Sequence, residues 1–166
     1  MKQEQLNIEF EVYDSAEQLN RQDAALLAEA RAVTDTAYAP YSHFSVGAAA
    51  LLNNGEMVKG TNQENSSYPV GICAERSLLA SSAVLHPGVG IHTMAVSYHN
   101  HNEGTLSNKP ISPCGMCRQA LLEHELRYKQ PIRLILGGQT GKIYIIKQAN
   151  MLLPLAFSSS QMKENS

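Results

Sequence analysis

All three cysteines of this chain fall in two short turns, Gly71-Ile72-Cys73-Ala74-Glu75-Arg76 and Pro113-Cys114-Gly115-Met116-Cys117. Each turn runs straight into a helix-like stretch, Ser77 to Leu85 and Arg118 to Leu126. A fold that uses the cysteines together must bring two helix starts to one point, where the positive ends of the helix dipoles favour thiolates. Zinc binds thiolate sulfur and prefers four ligands, so Cys73, Cys114 and Cys117 leave a fourth position to water, as catalytic sites do and closed structural sites do not. Glu75 then stands beside the open position. The expectation is one Zn²⁺ per chain with Glu75 as the catalytic carboxylate. Three thiolates on Zn²⁺ leave an excess of negative charge, which a guanidinium donating to sulfur would offset. Arg76 is the first candidate for that role and Arg118 the second.

Taken alone, Cys114-x-x-Cys117 also suits a redox pair or half of a structural zinc knuckle. A redox pair leaves Cys73 and Glu75 without a role. A closed zinc site needs a fourth ligand, and none of His43, His86, His92, His99, His101 and His124 has a cysteine at short zinc-knuckle spacing. A non-catalytic zinc module mediating protein contacts is the alternative of another class.

With 166 residues, 43% of them hydrophobic, the chain fits one domain over 1–166 with a buried core. The N-terminus Met1-Lys2-Gln3-Glu4-Gln5 has no apolar h-region. The longest apolar run, Val46 to Leu52, falls far short of the ~18 residues of a membrane span. No membrane partner is expected, and three cysteines kept as ligands suit a reducing cytoplasm better than a disulfide framework. A net charge of -2 argues against a nucleic-acid partner, which usually demands a basic face.

In chain order, Leu6, Ile8, Phe10 and Val12 alternate with polar residues, which predicts a half-buried edge strand in the N-terminal extension 1–14. Ser15-Ala16-Glu17-Gln18 fits a capping box, and Leu19, Leu26, Ala30, Val33 and Ala37 form one helical stripe ending before Pro40. Phe44 to Leu52 and Met57 to Gly60 predict two strands joined at Asn53-Asn54-Gly55. The small residues Gly47 to Ala50 would let a helix pack close to the sheet, and the helix after Cys73 is a candidate to lie on it. That helix carries Leu78, Leu79, Ala83, Val84 and Leu85 with only small serines between, and is expected to be buried on most sides. Met94 to Tyr98 reads as a further strand, and the aperiodic stretch 99–112 as part of the site's rim. After the second cysteine helix, Ile132 to Leu136 and Lys142 to Ile146 form an antiparallel hairpin. The tail 158–166 is polar and expected to fray.

Beyond the cysteines, Ala39-Pro40-Tyr41-Ser42-His43-Phe44-Ser45-Val46-Gly47-Ala48, Asn62-Gln63-Glu64-Asn65 and Ser112-Pro113-Cys114-Gly115-Met116-Cys117-Arg118-Gln119 each resemble blocks of the zinc-dependent cytidine deaminases of the free-nucleoside, homotetrameric type. The resemblance covers roughly residues 16 to 157. It implies an α/β fold with three layers, α/β/α, and a mixed sheet of about five strands, the last two core strands antiparallel, while the N-terminal edge strand lies outside it. Deaminases of polynucleotides or deoxycytidylate place a helix between those last strands, and this chain has no room for one. The implied reaction is hydrolytic deamination of cytidine and deoxycytidine by a zinc-activated water, releasing ammonia, with Glu75 passing protons to N3 and to the departing amine. By the same resemblance Phe44 stacks on the substrate, Asn62 and Glu64 bind the ribose, and the Ala74 N–H holds the base O2. In the implied homotetramer, Tyr68 and Phe157 reach a neighbouring chain's site, although Leu155-Ala156 departs from the family's usual small polar residues. A deaminase of a nucleoside analogue such as blasticidin S has similar zinc blocks, and Asn62-x-Glu64 and Phe44 favour cytidine.

Overall fold

The computed structural model describes residues 1–162. In chain order its elements are β1 (Glu11–Tyr13), α1 (Arg21–Val33), β2 (Phe44–Leu52), β3 (Met57–Thr61), α2 (Ala74–Leu85), β4 (Ile91–Asn100), α3 (Gly115–Tyr128), β5 (Arg133–Gly137) and β6 (Ile143–Ile146). The strands form one mixed sheet in the order β1-β6-β5-β4-β2-β3. Only β4 and β5 are parallel, and α3 makes the crossover between them. The hairpin β5–β6 is antiparallel, as its short Gly-rich turn requires.

Strand alternation sends neighbouring residues to opposite faces. Ala48, Ala50, Val96, Leu134 and Leu136 pack against Ala74, Leu78 and Leu121 of α2 and α3. Ala49, Ala95, Ile135 and Ile145 pack against Leu26, Leu27 and Ala30 of α1. The result is three layers. This alternation divides Gly47 to Ala50 between the two helix layers, and the close approach of a helix expected there is made by α1. Gly47 faces α1, where an added Cβ would lie 2.2 Å from the Ala30 carbonyl oxygen. The close seat of α2 is Gly60 on β3, where a Cβ would meet the Ala74 carbonyl oxygen at 2.6 Å.

The N-terminal strand takes the expected edge position but pairs over only three residues, Glu11 with Ile145, Val12 with Tyr144 and Tyr13 with Ile143. Its partner β6 is four residues long, so Leu6 and Ile8 have no strand to pair with and stay exposed. Phe10 packs its ring on Tyr144 at 4.9 Å. The start of α1 also differs from expectation. Residues Ala16–Gln18 form a separate 3-10 turn, and the cap of α1 is Asn20, whose side chain accepts from the Asp23 N–H at 2.9 Å. A bidentate pair from Arg133 to Asp23 then fixes this end of α1 to the start of β5.

Helix α2 buries Ala74, Glu75, Leu78 and Ser82, while Val84 and Leu85 are 79% and 65% exposed in the single chain. One flank of α2 is therefore bare, against the expectation of burial on most sides. Of the tail expected to fray, Ser158 caps a 3-10 turn over Ser159–Gln161, and residues 163–166 lie outside the described residues.

Candidate active site

Cys73 is the N-cap residue of α2 and Cys114 that of α3, and neither helix start is capped by a side-chain hydrogen bond. The first amides of both helices thus have no side-chain acceptor, and the positive end of each helix dipole lies at a cysteine. Cys117, one turn into α3, is buried. The Cys73 and Cys114 sulfurs lie 3.7 Å apart, those of Cys114 and Cys117 3.5 Å, and all three fall within 4.8 Å of one another. Tetrahedral zinc with Zn–S bonds of about 2.3 Å separates its sulfurs by about 3.8 Å, so the three side chains fit one zinc ion. Among the described residues no fourth His, Cys, Asp or Glu joins the group, which suits a centre with an open position.

Hydrogen bonding between the sulfurs makes the Cys73 thiol acidic. A hydrogen bond from Cys117, joined by one from Cys114, holds the Cys73 thiol down at about 6 against the opposing effect of burial, and the nearby Arg76 charge acts in the same direction. The same bond to Cys73, together with burial, pushes Cys117 up. A cation replacing those protons meets donors already sharing negative charge. Glu75, in the first turn of α2, is only 5% exposed. Burial raises its pKa, opposed by its own backbone N–H and by Cys117. A carboxyl poised in this way can both take and return a proton.

A cavity of about 830 Å³ opens over the sulfurs, and Phe44, Asn62, Glu64, Tyr68, Ala74 and Glu75 all line it. A small ladder sets their register. The Gln63 backbone bridges Tyr38 on one side and Ile72 on the other, so the residue between Asn62 and Glu64 is bonded to the residue before Cys73. The Glu64 carboxylate accepts from the Tyr41 N–H at 2.9 Å and the Ser42 N–H at 3.3 Å. Burial works against its ionisation, yet these bonds and the Ser42 hydroxyl outweigh it and hold the pKa below the usual range. Asn62 is tied to β2, its Oδ1 accepting from the Val46 N–H at 2.7 Å and its Nδ2 donating to the Phe44 carbonyl at 3.0 Å. One amide N–H and one lone pair remain to it. The Phe44 ring stacks on Tyr98 at 4.9 Å, with 15° between planes.

The other expected residues divide. Tyr68, 76% exposed, sits on the rim of its own chain's cavity against Tyr41. Phe157 does not line that cavity, and its carbonyl accepts from Gln119 Nε2 at 3.0 Å. Arg118 donates to the carbonyls of Pro113 and Leu152 rather than to sulfur. Of the stretch 99–112, Ile111 and Ser112 reach the cavity, whereas His99 and Asn100 belong to β4. Tyr98 and the Tyr41 and Ser42 amides escaped sequence reasoning, because a ring under another ring and a backbone N–H leave no mark in residue type.

Three convergent sulfurs and a buried carboxylate in one cavity suit a zinc-dependent hydrolase. Residues 20–129 match the cytidine and deoxycytidylate deaminase zinc-binding region, and the chain belongs to that family. A cytidine deaminase from Halalkalibacterium halodurans is 36% identical over 141 residues, covering 84% of this chain and 96% of the relative. One from Sporosarcina psychrophila is 35% identical over 139 residues, covering 82% of this chain and 92% of the relative. The crystal structure of cytidine deaminase from Burkholderia pseudomallei superposes with a TM-score of 0.69 at 37% identity, covering 84% of this chain and 100% of that one.

Proposed function

We infer that this chain is a zinc-dependent hydrolase that deaminates cytidine, and deoxycytidine with it, releasing ammonia. The observation that carries the reading is the buried Glu75 beside three convergent sulfurs, in a cavity that also holds Asn62 and Glu64. Zinc at Cys73, Cys114 and Cys117 supplies Lewis acidity, the means of making water a nucleophile near neutral pH. Glu75 takes one proton from the water that attacks C4 and gives it to N3, then takes the second from the new C4 hydroxyl and gives it to the amine, which leaves as ammonia as the C4 carbonyl forms. Ala74 opens α2, so its N–H has no intrahelical acceptor and is free for the base O2. Asn62 and Glu64 bind the sugar hydroxyls, and Phe44, backed by Tyr98, offers a flat apolar wall to the base. Arg76 favours the Cys73 thiolate through its charge. Free nucleoside is the substrate, since Glu64 is held ionised and no Lys or Arg lines the cavity among the described residues. An ammonia-release assay on cytidine, deoxycytidine and blasticidin S tests the reading. Turnover of blasticidin S alone, or of none of the three, would overturn it.

The working form is a homotetramer in the cytoplasm, built from one domain per chain. The bare flank of α2 with Val84 and Leu85, and the exposed Tyr68 and Phe157, support assembly. Tyr68 then serves two sites, its own rim and a neighbour's, and Phe157 serves the neighbour's. Three cysteines used as metal ligands suit a reducing compartment better than a disulfide framework does, and no helix among the described residues is long and apolar enough to cross a membrane. Co-refolding Glu75→Ala with Tyr68→Ala chains should restore activity in mixed sites. Mixtures no more active than the separate mutants, or a native protein that sediments as a monomer, would overturn the shared site.

A further inference from the structure

Arg118 follows Cys117 directly, yet its side chain addresses two carbonyls from different parts of the chain. Nε donates to Pro113 at 2.8 Å and Nη1 to Leu152 at 2.9 Å. Its backbone N–H donates to the Cys114 carbonyl at 2.9 Å. Two consecutive carbonyls of the ligand turn therefore accept from one residue, and the same guanidinium joins that turn to the 3-10 turn Ala149–Leu152. Leu152 is itself anchored. Its side chain and that of Ala149 lie in the core under α2 and α3. The Glu125 carboxylate accepts from the Ala149 and Asn150 N–H groups at 3.0 and 3.2 Å, and from the Ile132 N–H at 2.7 Å. A continuous route thus runs from the core through Glu125, the 149–152 turn, Arg118 and Pro113 to Cys114. Cys114 is the exposed member of the three ligands, the one from which solvent and competing chelators can open the site.

We propose that Arg118 is a positioning residue that clamps the ligand turn Pro113–Cys114 to the turn Ala149–Leu152, and that this clamp sets how fast zinc leaves. The inference rests on the zinc centre and not on the identity of the substrate. A planar guanidinium presents Nε and Nη1 donors in fixed directions, which a lysine ammonium cannot reproduce. Groups that hold metal ligands in place commonly contribute 10- to 100-fold in metal affinity.

The test uses the zinc-loaded full chain and follows release into an excess of a chromogenic chelator. Arg118→Lys is expected to release zinc about 10- to 100-fold faster, with a shifted thiolate charge-transfer band in the cobalt-substituted protein. Glu125→Gln touches no residue of the ligand turn, and is expected to quicken release as well by loosening the 149–152 turn. Melting of the metal-free forms separates retention from folding. An Arg118→Lys chain that melts lower without metal but releases zinc at the native rate shows a purely structural arginine and overturns the proposal. A Glu125→Gln chain with native release overturns the coupling to the 149–152 turn. Because metal release is read directly, a chain that showed the clamp but left cytidine untouched would fail the functional reading alone.

Discussion

Gln63 and Ile72 exchange two backbone hydrogen bonds, Gln63 N–H to the Ile72 carbonyl at 2.9 Å and Ile72 N–H to the Gln63 carbonyl at 3.0 Å. Asn62 and Glu64 flank one partner and Cys73 follows the other, so a single antiparallel bridge spaces the proposed sugar-binding residues from the metal. Replacing Ile72 by proline removes one donor and disrupts that bridge. Ile72→Pro should lose zinc content and nucleoside affinity together, while Ile72→Val keeps both. Elemental analysis and substrate titration of the two variants check this, and loss of only one property would show that the bridge does not couple them.

Glu75 combines deep burial with a raised pKa, so the folded chain bears a cost for its charge. Glu75→Gln keeps the shape and removes the charge. Turnover should fall by at least ~10²–10⁴, the range of general acid–base groups, with zinc retained. Melting should be no lower than in the native protein. Near-native turnover would refute the assigned role.

Asn62 and Glu64 line the same cavity but are held differently, and their variants should separate. Asn62→Ala strips partners from the Val46 N–H and the Phe44 carbonyl, at about 1–3 kcal/mol of stability for polar groups left unpaired. It should lower the melting temperature and raise KM together. Glu64→Ala releases the Tyr41 and Ser42 amides and the Ser42 hydroxyl, all at the rim, so KM should rise with little change in melting. Unchanged kinetics with cytidine in both would leave only their structural roles.

His124 lies buried on α3 with its Nε2 unpartnered among the described residues, and burial, helped by the Arg127 charge, lowers its pKa from 6.5 to about 4. Between those values the unfolded chain binds the proton and the folded chain does not. Stability should therefore fall as pH drops from 6.5 towards about 4, by at most about 3 kcal/mol from this group. His124→Leu should flatten that part of the profile relative to the native protein. Parallel melting curves for the two proteins from neutral to acid pH would show no divergence if His124 were not involved.

Much of this protein is written locally. The cysteine turns with Glu75 mark the metal centre because donor type and spacing are properties of a few adjacent residues. The strand Phe44–Leu52 and the hairpin β5–β6 are legible for the same reason, since period-two patterning and turn chemistry act over short range. What lies beyond such windows was decided only in three dimensions. The length of β1 depends on the four residues β6 offers it, and the cap of α1 moved to Asn20 once the preceding residues formed a turn of their own. Alternation split Gly47 to Ala50 between two helices, and left α2 resting on Gly60 of a neighbouring strand. Asn62 looks like a ligand-binding amide, but its bonds to β2 need that strand alongside. Arg118 stands next to a cysteine in the chain, yet it points to a carbonyl that tertiary packing delivers from Leu152. Residue identity determines which chemistry is available, while long-range packing determines the distances and directions in which it acts.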